Sequence, residues 1–234
     1  ALPISTMYLI EGEDKAVLID TGTRCADLDK IVGQITGKPL EVIVTHMHPD
    51  HAGCIKYFDK VWMHRADTVL VPQHAADYQG EFLYMEEGQV FDLGGRKLEV
   101  AWMPGHTPGS VVLLDKANGD CYSGDAFGSG EVWLQCVPMS PIATFHESCC
   151  RMEKLMKEGH IKDIWCGHYP YLKSSLPLAY IQTMIRISHR LMNGDQEGSE
   201  PYSNYFIKMP PTARKLAEGR AMIVYDSTNI PEAR

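Results

Sequence analysis

Several things are missing from this 234-residue sequence, and each absence narrows the field. No apolar run reaches the ~20 residues that span a bilayer, so no membrane association is expected. The 22 Lys and Arg fall short of the 30 Asp and Glu, which leaves a formal net charge of −8. Nucleic-acid binding needs a basic surface to meet phosphates, so no such partner is expected. A local basic pocket for an anionic substrate stays open. The seven cysteines (Cys25, Cys54, Cys121, Cys136, Cys149, Cys150 and Cys166) are odd in number and contain no CxxC pair. They do not read as a disulfide framework and point to reduced thiols, hence to the cytoplasm. The chain opens at Ala1 with neither an initiator Met nor a signal-like stretch. An upstream piece of the fold or a leader is therefore expected before residue 1, and periplasmic or secreted placement stays open. No GxSxG nucleophile elbow, internal repeat or low-complexity tract is present.

What is present suffices for a globular core. Hydrophobic residues make up 44%, charged residues 22% and aromatics 9% of a chain long enough for one large domain, expected over 1–234. The pattern predicts a hairpin over 7–10 and 16–20, a helix over 24–35, a buried strand over 40–45, a short helix over 52–58 and a strand over 60–64. Residues 65–89 look irregular, a candidate flap. Strands follow within 89–105, 110–115 and 120–125, then a long loop over 128–146. A helix over 147–159, a strand over 161–167 and a helix over 176–194 come next, with strand-like pieces at 205–209 and 221–226. Hairpins among the first strands reject a simple βαβ order and favour an α+β architecture of mixed sheets covered by helices.

The densest chemical signal is "VTHMHPDHAG" at 44–53. His46 and His48 stand two apart at a strand end, where side chains can share a face. Pro49 stops the strand, and Asp50 and His51 follow in the turn. Three later segments repeat one pattern, a buried strand running into a Gly-rich turn with a His or Asp. They are "MPGHTPGS" with His106, "YSGDAFGSG" with Asp125 and "WCGHYP" with His168. Five imidazoles and two carboxylates are the donors that suit Zn²⁺, Fe or Mn²⁺, and seven serve two cations if one carboxylate bridges.

These strings resemble the metallo-β-lactamase superfamily. "THMHPDH" is similar to its THxHxDH motif, "GHTPGS" to the third-histidine segment, "SGDAF" to the bridging aspartate, "CGHYP" to the last histidine and "LIDTG" to its early Asp-Thr-Gly turn, in order from about residue 7 to 170. The resemblance implies a four-layer αββα sandwich. It implies one metal on His46, His48 and His106 and a second on Asp50, His51 and His168, with Asp125 bridging. Two divalent metals, Zn first with Fe or Mn as alternatives, would generate a metal-bound hydroxide for hydrolysis, with Asp50 and Asp125 as the catalytic carboxylates. Asp20 would orient a ligand loop by hydrogen bonds, or merely cap its turn.

Within the superfamily, His48 stands where the flavodiiron branch has Glu, and Asp125 where true β-lactamases have Cys or Ser. The chain is too short for the extra domain of the RNA-cleaving branch. "GHTPGS" and "SGDAF" look most like the glyoxalase II-like hydrolases, although the basic glutathione-binding set is not found and 171–234 match nothing. The expected function is hydrolysis of a small ester, thioester, lactone or phosphoester. The alternatives are a mononuclear-iron persulfide dioxygenase and a non-catalytic metal-binding protein on the same scaffold. Tyr169, Trp133 and Tyr84 are candidates for the substrate pocket, with packing as the other reading of each. His64, His74, His146, His160 and His189 lack motif context and are read as surface or structural. The expected partner is a small-molecule substrate; the oligomeric state is not indicated.

Overall fold

A computed structural model describes residues 5–204 and 208–231. The first sheet holds β1 (Tyr8–Glu11), β2 (Ala16–Ile19), β3 (Leu40–Ile43), β4 (Lys60–His64) and β5 (Glu81–Met85), in that spatial order. The second holds β6 (Val90–Asp92), β7 (Lys97–Trp102), β8 (Val111–Asp115), β9 (Asp120–Gly124) and β11 (Asp163–Cys166), in the order β11-β9-β8-β7-β6. Period-two alternation explains how they stack. Val17 and Ile19 of β2 meet Leu98 and Val100 of β7, Val111 and Leu113 of β8 and Tyr122 of β9 in one core between the sheets. The alternate residues face outward into two further cores.

On the outer face of the first sheet, Leu18, Val42, Val61 and Met63 pack against Leu28 and Val32 of α1 (Leu28–Ile35) and Ala52 of α2 (Pro49–Ala52). A one-turn α3 (Val71–His74) lies beside them. On the outer face of the second, Val112, Leu114, Cys121 and Ile164 pack against α4 (Ile142–Lys157) and, beyond the one-turn α5 (Tyr169–Leu172) in the chain, α6 (Leu178–Met192). The layers are therefore α, β, β and α. The buried stripe Tyr180, Ile181, Met184, Ile187 and Leu191 gives α6 its helical period. Each fully buried aliphatic side chain in these cores stabilises the fold by about 1.5–3 kcal/mol over exposure.

Three expectations need correction. Residues 65–89 are not simply irregular, because Glu81–Met85 adds a fifth strand parallel to β4. The loop expected over 128–146 contains β10 (Glu131–Trp133) and the first turn of α4, whose stripe begins with Ile142 and Phe145. The C-terminal third builds a small sheet of β10, β14 (Ala221–Asp226), β13 (Ala213–Glu218) and β12 (Glu200–Pro201). Its β13 and β14 form an antiparallel hairpin whose Gly219 has φ 61°, the left-handed conformation such turns require. β13 was not expected, since "ARKLAE" has weak strand propensity and pairing with β14 decides its state. The piece expected at 205–209 falls partly outside the described residues (205–207); residues 208 and 209 are not strand.

The pairings also place the site. β2 runs parallel to β3, and β9 parallel to β11. β7 and β9 are both antiparallel to β8 and so share a direction. Asp20, residues 46–51, His106, Asp125 and His168 each follow the C-terminal end of one of these strands. All five segments therefore converge on one rim of the sandwich.

Candidate metal centre

Residues 44–48 leave β3 in irregular backbone, and Pro49 opens the single turn of α2. Pro is suited to that first helical position, where its missing N–H costs no intrahelical bond. The turn places Asp50 and His51 opposite His46 and His48. The structure gathers the seven ligand candidates into two groups. One ligand atom each from His46, His48 and His106 lie within 4.8 Å of one another. Asp50, His51, Asp125 and His168 form a second group to the same limit. Asp125 faces both: its Oδ2 is 3.0 Å from His168 Nε2, 3.6 Å from His51 Nε2 and 3.9 Å from His106 Nε2.

Hydrogen bonds on the far side of the rings fix which nitrogen each imidazole presents. The Thr45 hydroxyl donates to Asp20 Oδ2 (2.9 Å) and so accepts from His46 Nδ1 (3.1 Å). His106 Nδ1 donates to the Trp133 carbonyl (2.8 Å), and His51 Nδ1 to Asp20 Oδ2 (2.7 Å). Each ring is thereby left with its Nε2 lone pair directed inward. His46 Nε2, His51 Nε2 and Asp125 Oδ1 are buried with no hydrogen-bond partner among the described residues. Buried polar atoms are almost always satisfied, so three orphans converging on one rim fit a cation-binding set. His48 Nδ1 stands 2.9 Å from His106 Nε2, close enough for the two to share one cation.

The charges suit that role. Burial, reinforced by the neighbouring imidazoles of His51, His106 and His48, holds His46 well below its ordinary pKa. Burial and His106 push His48 down to about 3, and burial lowers His106 as well. These three are neutral ligands at physiological pH. In the second group burial opposes ionisation of Asp125, yet His168 and His51 outweigh it and hold the carboxyl well below the usual range. Burial likewise disfavours a charged His51, but Asp20 and Asp125 prevail and raise it well above its ordinary value, so a cation entering this group would take the place of a proton on its Nε2.

Asp20, buried and with φ 62°, also accepts from Thr45 N (2.7 Å) and so ties both groups to β2. Of its two readings from sequence, the contact with His51 favours the orienting one. Gly167 sits so close that a Cβ there would fall 2.6 Å from His51 Cε1. The three aromatic pocket candidates separate. Trp133 touches the centre through its carbonyl, while its indole donates to Glu131 Oε1 (3.0 Å) and lies 6.1 Å from the Tyr202 ring. Tyr169 packs on Trp165, ring centres 5.7 Å apart, beneath the His168 loop. Tyr84 is the correction: it lies in β5, joins the outer-face core and carries the Arg65 guanidinium 3.9 Å above its ring. A packed strand rather than an open flap holds it.

Sequence reasoning missed three neighbours. His74, read as surface or structural, has its ring 5.8 Å from His48. Tyr171, 63% exposed, sits 5.7 Å from His168. Asp67 is 1% exposed and hydrogen-bonded to the loops of His48 and His106. Its segment carries no motif, so no sequence signal marked it. All seven cysteines are free thiols, Cys149 buried and Cys150 exposed.

Comparison with known proteins agrees with this geometry. The family profile described as "Metallo-beta-lactamase superfamily" matches residues 2–146. The Homo sapiens acyl-coenzyme A thioesterase MBLAC2 is 26% identical over 204 residues, covering 70% of this chain and 73% of that protein. A hydroxyacylglutathione hydrolase of Aeromonas salmonicida is 27% identical over 179 residues, covering 74% of this chain and 64% of that protein. Among solved structures, a di-iron-bound form of TTHA1623 superposes with a TM-score of 0.61 at 26% identity, covering 76% of this chain and 92% of the other. A metallo-beta-lactamase family protein of Thermus thermophilus superposes with a TM-score of 0.63 at 19% identity, covering 84% and 79%, and supports the fold.

Proposed function

This chain belongs to the metallo-beta-lactamase superfamily, and from that premise we propose that it is a dinuclear metal-dependent hydrolase of a small thioester. Esters, lactones and phosphoesters are the other substrates to be compared with it. The observation that carries the dinuclear reading is Asp125, whose Oδ2 faces His106 of one group and His51 and His168 of the other. His46 Nε2, His48 Nδ1 and His106 Nε2 would hold one cation. Asp50, His51 Nε2 and His168 Nε2 would hold the second, with Asp125 between them. When bound, divalent cations at such a site lower the pKa of water to about 7 and polarise the scissile acyl oxygen.

The chain's own residues supply the rest. Thr45, Asp20 and the Trp133 carbonyl hold the rings of His46, His51 and His106 with Nε2 inward, so these three need not reorient. Burial keeps the first group free of competing protons. His168 and Asp50 keep 14% and 19% of their side-chain surface exposed and open the second group to substrate. Tyr171 and His74 stand beside ligands from each group, where a substrate arriving from solvent would meet them.

A thioester is favoured because a thioesterase and a hydroxyacylglutathione hydrolase both stand among the relatives. Zinc is the expected metal; the di-iron form of TTHA1623 makes iron the alternative. The second ligand group speaks against a mononuclear-iron dioxygenase. The test is elemental analysis followed by a panel of thioester, ester, lactone and phosphodiester substrates with Zn²⁺, Fe²⁺ or Mn²⁺ restored. Two equivalents of metal with thioester turnover are expected. One iron with oxygen consumption on persulfides would replace this reading with the dioxygenase, and bound metal without turnover would leave a binding protein.

A further inference from the structure

We infer that Asp67 is the positioning residue of the His46–His48–His106 group, the buried carboxylate that ties the loop after β3 to the loop after β7 and sets the spacing of those three imidazoles. The inference rests on the reading of these histidines as metal ligands. The two loops come from different sheets, so their mutual position is a tertiary matter. Asp67 lies outside both, in the 3-10 turn Arg65–Leu70 that follows β4. Its side chain turns inward to 1% exposure. Oδ2 accepts from Met47 N at 2.9 Å and from the Thr107 hydroxyl at 3.0 Å, and Oδ1 from Gly109 N at 2.5 Å.

The choice of donors is the informative point. Met47 stands between His46 and His48, and Thr107 directly follows His106. Asp67 therefore holds both ligand loops one residue away from the ligands themselves. The bond from Val111 N to the Thr45 carbonyl (3.0 Å) also joins the sheets beside His46, but its other end lies at the start of β8 and does not hold the His106 turn. The Thr107–Ser110 pair completes the clamp. Thr107 N donates to Ser110 Oγ (3.0 Å), and the two hydroxyls are 2.8 Å apart, leaving the Thr107 proton for Asp67. Gly109 is required by the same contact, since a Cβ there would lie 2.6 Å from Asp67 Cγ.

A buried carboxylate facing only neutral donors is costly, and packing alone would be served better by an apolar residue. Its return is geometric. His48 Nδ1 and His106 Nε2 stay 2.9 Å apart, a separation that a slack loop would not hold. Asp20 does the corresponding work for the second group through His51 Nδ1.

Asp67→Asn preserves shape but turns an amide NH₂ towards one of these donors. Co²⁺ titration of the whole chain, followed by visible absorption, reads each group separately once His48→Ala and His168→Ala have assigned the bands. In D67N the first group is expected to bind about 10- to 100-fold more weakly while the second keeps its affinity. Thr107→Val removes one donor and is expected to produce a smaller loss in the same group; it serves as the reading if D67N does not fold. Unchanged affinity at the first group, or equal weakening of both in a folded variant, would overturn the inference and leave Asp67 a scaffold residue. A wild-type chain that takes up no Co²⁺ overturns the metal reading itself, and this inference with it.

Discussion

Gly167→Ala is the smallest change that tests the second ligand group. The backbone of Gly167 is tied down, its N–H donating to the Gly124 carbonyl (2.7 Å) and its carbonyl accepting from Thr6 N. The new methyl cannot retreat with the chain. A Cβ would stand 2.6 Å from His51 Cε1 and closer still to Asp125 Oδ1, so by ordinary contact distances the ring must move by about 0.8 Å and the carboxylate by more. His51 is fully buried and held by Asp20, so relieving the contact strains that hydrogen bond as well as displacing Asp125. Productive sites tolerate displacements of only about 0.5 Å. Overpacking of this kind destabilises a fold by about 1–3 kcal/mol. The expected result is a folded protein with a lowered denaturant midpoint that retains one equivalent of metal and loses hydrolysis. Metal analysis after dialysis, urea unfolding and thioester turnover read the three quantities. A G167A protein holding two equivalents and turning over at the wild-type rate would refute the placement of Asp125 and His51 in one site.

Asp125→Ala is expected to abolish turnover and reduce bound metal below two equivalents while the fold persists, checked by elemental analysis and circular dichroism. Chelation should inactivate the wild type reversibly, with activity returning on addition of Zn²⁺; activity that survives exhaustive chelation would end the metal-dependent reading. Leu113→Ala, at a fully buried position between the sheets, should cost about 2–5 kcal/mol in urea unfolding. Tyr180→Phe removes the hydroxyl that donates to the Phe127 carbonyl (2.8 Å) and accepts from Gly130 N (3.3 Å). About 1–3 kcal/mol of stability should go with it, because both loop groups lose a buried partner.

Residue types in order along the chain were enough to name the ligand candidates and the general architecture. Imidazoles and carboxylates at strand ends are legible because chemistry restricts what can stand there, and "THMHPDH" names four ligand candidates in one line. Unbroken apolar runs in "AVLI" and "VVLLD" likewise announce strands buried on both faces. Only the tertiary structure decided what depends on contacts between distant segments. The strand Glu81–Met85 exists because β4 offers it an edge, and Ala213–Glu218 because β14 does. Tyr84 stands in a strand rather than a loop for the same reason. Asp67 carries no local signal at all: its partners are 20, 40 and 42 residues away, and an isolated aspartate in "HRADTVL" looks like any surface acid. Ligand identity is a matter of side-chain chemistry, which a sequence displays directly. Ligand position is set by hydrogen bonds across sheets, and these form only when the two halves of the sandwich close on each other.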